Sequence, residues 1–137
     1  MCIRDRHYIM AGQVIAIGTD IIECARIAGM MEKHGETFLE RVFTVGEIAY
    51  SHDKKMAYQH FAGRWAAKEA VLKTLGTGWA QGVEWTDVEV VRSPAGVPSI
   101  HLHGRAAEFA KQLGICEVLI SISHTKEYAV AFATAVG

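Results

Sequence analysis

Three segments carry residue types suited to holding a polyphosphate and a hard metal ion. The first is Asp20, near the end of the β-branched apolar run QVIAIGTDII over residues 13–22. A carboxylate in such a strand is costly unless it is paired, hydrogen-bonded or bound to a cation. Alternatively it caps the helix that follows. The second is the run FAGRWAAKEAVLKTLGTG over 61–78. At 100° per residue, Phe61, Trp65, Leu72 and Leu75 share an arc that must face the core, Lys68 falls inside it and Arg64 sits at its edge. Glu69 and Lys73 lie together on the opposite flank. Long basic side chains snorkel out of an apolar stripe. The helix is thus either a solvated surface helix with a Glu69–Lys73 pair, or a set of cations beside a carboxylate for a polyphosphate and its metal. Asp20 and Glu69 would be two oxygen ligands on separate elements, as magnesium takes alongside waters and phosphate oxygens. The third segment is SISHT over 121–125, with His124 where a strand ends; it is either a solvent-facing hairpin or part of a site. His34, His52, His60, His101 and His103 belong to no constellation and read as surface or structural. Gly76-Thr77-Gly78 is a helix stop. It is not a P-loop, because it lacks the lysine and follows a helix instead of opening one.

The elements that must position these residues follow from local pattern. Residues 13–22 read as a buried strand. From Glu23 to His34, Ile27, Met30 and Met31 recur at helical spacing, with Gly35 as the stop, and Phe38, Leu39, Val42 and Phe43 continue an apolar helical face. Thr44 and Glu47 have the form of a capping box that opens another helix. The longest helix spans about Met56 to Leu75. Residues 84–91 and 97–103 alternate around the turn Ser93-Pro94-Ala95-Gly96, a hairpin. A short helix covers Gly104 to Leu113. Residues 118–123 and 128–135 form a second hairpin around 124–127. The order β-ααα-ββ-α-ββ, with successive hairpins, predicts a single α+β domain whose mainly antiparallel sheet packs against helices.

Length and composition agree. The 137 residues suit one domain, and the formal net charge of −1 argues against a nucleic-acid binder working through bulk positive charge. No apolar run approaches a membrane span. Cys2, Cys24 and Cys116 have no metal-ligand spacing and read as free thiols in a reducing cytoplasm. The opening MCIRDRHYIM lacks an apolar h-region and fits no periodic pattern. Residues 1–10 are therefore expected to be an extension outside the fold, with the domain over 11–137 and Met10 as an in-frame start.

Together the three motifs resemble the holo-acyl-carrier-protein synthases, the small single-domain class of 4′-phosphopantetheinyl transferases. The matching residues are Gly18-Thr19-Asp20-Ile21-Ile22-Glu23, the run from Phe61 to Gly78, Gly96-Val97-Pro98, and SISHTKEYAVA over 121–131, in the expected order. The resemblance extends from about Ala11 to the C-terminus, and the helix motif is its most specific part. It implies the 4′-phosphopantetheinyl transferase fold. It also implies transfer of 4′-phosphopantetheine from coenzyme A to a serine of apo-acyl carrier protein, for fatty-acid synthesis, with release of adenosine 3′,5′-bisphosphate. By the same resemblance Asp20 and Glu69 hold Mg²⁺ (or Mn²⁺), and Lys73 stands near the phosphate chemistry. Arg64, Lys68, Gly76, Gly78, Pro98 and His124 line or support the coenzyme site, and Arg26 meets the carrier protein. The resemblance further implies homotrimers with an active site at each subunit interface. The first helix is less basic than a surface for an acidic carrier should be, since Glu23 and Glu32 offset Arg26 and Lys33. Two other readings compete: a non-catalytic coenzyme A or nucleotide-binding module, and a transferase serving a secondary-metabolism carrier.

Overall fold

The computed structural model describes residues 13–137. The expected extension over 1–10 lies outside them. Strand β1 (Val14–Glu23) leads into helices α1 (Cys24–Val42), α2 (Val45–His52) and α3 (Ala57–Leu75), followed by a 3₁₀ turn at Trp85–Asp87. Then come β2 (Val88–Arg92), β3 (Pro98–Leu102), α4 (Gly104–Gln112), β4 (Glu117–His124) and β5 (Tyr128–Val136). This is the expected order. β1, β5 and β4 form one antiparallel sheet in that order, and β2 and β3 form a separate hairpin.

The three-stranded sheet is two-faced because antiparallel partners share a face. Ala129, Ala131, Ala133 and Ala135 of β5 are all buried and pair with Ile22, Asp20, Gly18 and Ala16 of β1. This alanine floor lets α3 lie close. A Cβ at Gly18 would come within 2.1 Å of the Ala70 carbonyl oxygen, and one at Gly63 within 3.0 Å of Ile122 Cγ2. The absent side chains set the depth at which α3 meets the strand carrying Asp20.

Among the described residues, the opposite face is apolar and uncovered. Ile17 is 74 % exposed, Ile21 64 %, Phe132 58 % and Leu119 50 %. β1 was expected to be buried; on its inner face Ile22 is buried and Ala16, Gly18 and Asp20 are half-buried, while no element among the described residues covers its outer face.

α3 departs from the amphipathic expectation. The sheet flanks one side and α1, α2 and β2 flank others, so Phe61, Arg64, Lys68, Val71 and Leu75 are all buried. Gly35 interrupts the first helix as expected: at φ +52° and ψ −133° it leaves helical geometry, and a second helical piece follows to Val42, so α1 is two pieces joined at a kink. The capping box at the start of α2 forms as expected: Thr44 Oγ1 accepts from the Glu47 amide at 3.2 Å, and the Thr44 amide donates to Glu47 Oε1 at 2.8 Å. Residues 85–87 form a 3₁₀ turn where a strand was expected, since Asp87 Oδ2 accepts the Glu84 amide at 3.1 Å and closes it. Cys24 is a buried free thiol, as expected. Cys116 is disulfide-bonded, which corrects its reading as a free thiol, and Cys2 lies outside the described residues.

Candidate functional site

Asp20 sits on the inner face of β1, four residues before α1 begins. The N-cap position of α1 is Glu23, with no side-chain capping bond, so Asp20 does not serve as that cap. Its carboxylate instead lines a cleft of about 380 Å³ together with Glu23, Arg26, Trp65, Glu69 and Tyr128. The two carboxylates that the sequence could not connect share this cleft. Lys73, one helical turn beyond Glu69, reaches across to β1. Its ammonium donates to the Thr19 carbonyl at 2.6 Å and lies 3.4 Å from Asp20 Oδ1. Lys73 thus pairs with Asp20, where an intrahelical Glu69–Lys73 pair had been the alternative. Burial pushes the Asp20 carboxyl above its ordinary range; the Lys73 and Arg26 charges pull the other way without cancelling it. Glu69 is half-buried and accepts a hydrogen bond from the Trp79 indole at 3.2 Å.

This donor set fits a hard divalent cation. Magnesium needs only one or two carboxylates and takes its other ligands from water and phosphate. Among the described residues no three His, Cys, Asp or Glu side chains gather into a larger cage.

A second assembly surrounds Tyr50 on α2. The Arg64 guanidinium lies 4.3 Å from the ring centroid, the Lys54 ammonium 4.6 Å and the Arg92 guanidinium 5.2 Å. His60 meets Tyr50 edge-on at 6.0 Å and touches the His124 ring at 5.5 Å. Arg64 is 2 % exposed and donates to the His60 carbonyl at 3.3 Å. The Nε groups of Arg64 and Arg92 are shielded from solvent and lack a protein acceptor. Burial, then the cations of Arg64, His124, Arg92 and Lys54, hold His60 below its ordinary pKa. Like charges gathered at this density, with donors left over, suit an anion with several oxygens.

A family model described as the 4′-phosphopantetheinyl transferase superfamily matches residues 16–133. The chain is 48 % identical over 131 residues to the holo-[acyl-carrier-protein] synthase of Gloeobacter violaceus, covering 93 % of this chain and 98 % of that one. The chain belongs to the holo-acyl-carrier-protein synthases. Solved structures agree. The Bacillus anthracis synthase in complex with coenzyme A (3′,5′-ADP) superposes with a TM-score of 0.75 at 35 % identity, covering 93 % of this chain and 99 % of that one. The Helicobacter pylori synthase in complex with coenzyme A gives 0.77 at 32 %, covering 88 % and 99 %. The chain is therefore a transferase with the fold of that family.

Of the residues that the synthase resemblance implied, two groups gather, Gly76 and Gly78 stand beyond the end of α3, and Lys68 stands apart. Asp20, Glu69 and Arg26 line the cleft, and Lys73 joins them through its pair with Asp20. Arg64 and His124 converge on the Tyr50 cluster. Pro98 pairs with Arg92 in the β2–β3 register, at the edge of that cluster. Gly76 and Gly78 follow the last residue of α3 with φ of +74° and +60°. Gly76 accordingly serves as the helix cap that the sequence suggested.

Lys68 is the exception. It does not snorkel toward solvent, because its ammonium is fully enclosed. It pairs with Glu47 at 2.8 Å and donates to the carbonyls of Trp85, at 3.1 Å, and Val88. Burial pushes its pKa down and Glu47 only partly restores it. Lys68 therefore stands behind the site as a fastening between α2, α3 and β2 and lines neither the cleft nor the Tyr50 cluster. His60, read as isolated, belongs to the cation cluster. Sequence reasoning also missed Tyr50, Lys54, Arg92 and Trp79. Tyr50 and Lys54 are four residues apart, but Arg92 lies on a distant hairpin and nothing local signals it.

Proposed function

We propose that this chain transfers 4′-phosphopantetheine from coenzyme A to a serine of apo-acyl carrier protein, yielding adenosine 3′,5′-bisphosphate and serving cytoplasmic fatty-acid synthesis. The observation that carries the reading is the shared cleft of Asp20 and Glu69, with Lys73 bridging the same two elements. Asp20 and Glu69 would hold Mg²⁺, or Mn²⁺ in its place. When bound, the ion would neutralise charge on the coenzyme's diphosphate.

The chain's own residues account for the rest. Lys73 adds positive charge where the bisphosphate departs. The serine Oγ–P bond forms as the bond from that phosphorus to the departing bisphosphate oxygen breaks. The serine proton passes to a water hydrogen-bonded to Asp20 or Glu69. Arg64, His124 and the other cations around Tyr50 bind coenzyme phosphate, which would relieve their mutual repulsion. Most of this catalysis is positioning and charge neutralisation, as phosphoryl transfer requires. Arg26, on the rim of the cleft, is suited to an acidic carrier surface.

The cleft lining includes none of the cations around Tyr50. Among the described residues, nothing covers the sheet's apolar outer face. Both observations support a homotrimer in which the carboxylates of one copy and the cations of a neighbour complete one site. The test is intact-mass analysis of an apo-acyl carrier protein incubated with the enzyme, coenzyme A and Mg²⁺. We expect a gain of about 340 Da that requires the metal and is lost in the Asp20→Ala, Glu69→Ala double variant. No gain with coenzyme A still bound would favour the binding-module reading. A gain only with a secondary-metabolism carrier would favour that alternative.

A further inference from the structure

Trp65, Trp79 and Trp85 form a stack beside the cleft. Trp85 lies 4.3 Å from Trp65 and 3.8 Å from Trp79, centroid to centroid, with interplanar angles of 31° and 27°. Trp65 lines the cleft one helical turn before Glu69. Trp79 stands at the far end of the stack and points its indole N–H at Glu69 Oε1, 3.2 Å away. The stack is anchored from behind: the carbonyl of Trp85 accepts from the Lys68 ammonium, which Glu47 clamps in turn.

We propose that Trp79 is a positioning residue that fixes the rotamer of Glu69 for the divalent cation. The proposal rests on the reading of Glu69 as a metal ligand. An indole N–H is a donor only, so it occupies one carboxylate oxygen and leaves the remaining lone pairs directed into the cleft. A glutamate carboxylate, carried on three side-chain torsions, loses rotamer freedom on binding a metal, and a prior hydrogen bond removes part of that cost. Partners of metal-binding carboxylates commonly set metal affinity in this way. The hydrogen bond can orient Glu69 because the donor is itself held in place by stacking. Trp79 cannot swing away without unstacking from Trp85, and Trp85 is held by the buried Lys68–Glu47 pair.

The test measures Mn²⁺ binding by the loss of its free-ion paramagnetic resonance signal, in saturating coenzyme A, with coenzyme A alone as the baseline. Wild type is compared with Trp79→Phe, which keeps a stacking ring but removes the N–H, and with Glu69→Gln. We expect Trp79→Phe to weaken Mn²⁺ binding about tenfold. Its melting temperature and its metal-free affinity for coenzyme A should match wild type, which a merely structural role for Trp79 would not allow. Where Trp79→Phe loses the fold, benzothienylalanine at position 79 replaces it, since this isostere carries sulfur in place of the N–H. Unchanged Mn²⁺ affinity in the N–H-deficient variant, with binding weakened in Glu69→Gln, overturns the role of Trp79 alone. Unchanged affinity in Glu69→Gln overturns the metal-ligand reading and the role of Trp79 with it.

Discussion

Lys68 and Glu69 are neighbours in the chain and end in opposite environments. Lys68 points inward to Glu47, while Glu69 opens into the cleft. A helical wheel assigns Lys68 to the core-facing arc, and that much was legible. Its partner was not, because Glu47 lies on another helix, where its sequence signature is that of a capping box. The glutamate does both jobs: Oε1 serves the cap and the ammonium, and Oε2 accepts the Val90 amide at 2.7 Å. Removing one member of a fully buried pair strands the other charge. Lys68→Ala is therefore expected to destabilise the protein by about 3–5 kcal/mol in denaturant melts. Adding Glu47→Gln to that variant should recover part of the loss. A loss under 1 kcal/mol would show that Lys68 is not the fastening described. Asp20 was legible as an anomaly, a charge in an apolar strand. Its meeting with Glu69 was not, since the two belong to elements joined only by the tertiary fold.

At the scale of the element, the depth of α3 on the sheet decides where the cleft residues lie. The sequence marks Gly18 only as an interruption in a strand. Its meaning appears when Ala70 is found against it, with no room for a methyl group. Backbone against backbone yields poorly, so Gly18→Ala should cost about 3 kcal/mol and lower the melting temperature by about 10 °C. It should also impair turnover, because β1 can relieve the clash only by moving Asp20 away from α3. A variant with wild-type stability would contradict this close packing. Element order and type were readable throughout, because alternation, helical spacing and turn residues are local signals. The break at Gly35 was readable as well, but the angle at which the second helical piece joins the first was not, because the packing of Phe38, Leu39 and Val42 into the core sets it. The all-round burial of α3 was equally hidden. Its alanines look neutral in a helical pattern and become a contact face only against the alanines of β5.

For the whole molecule, the outer sheet face is the largest unexplained feature of a single chain. Ile17, Ile21, Leu119 and Phe132 were legible as strand residues, but whether a strand has one or two covered faces depends on what else packs there. Exposed apolar patches of this kind mark interfaces. Phe132→Asp, at the centre of the patch, should yield a folded monomer in light scattering that no longer modifies the carrier protein. A fully active monomer would rule out a site completed between copies. The most direct test of the account is a crystal structure with coenzyme A and Mn²⁺, using the anomalous signal to locate the ion. We predict an anomalous peak within about 2.3 Å of carboxylate oxygens of both Asp20 and Glu69, bridged to the coenzyme diphosphate. The adenosine end of that coenzyme should reach the Tyr50 cations of a neighbouring copy. A coenzyme A diphosphate bound away from these carboxylates, or a metal peak elsewhere, would contradict the account.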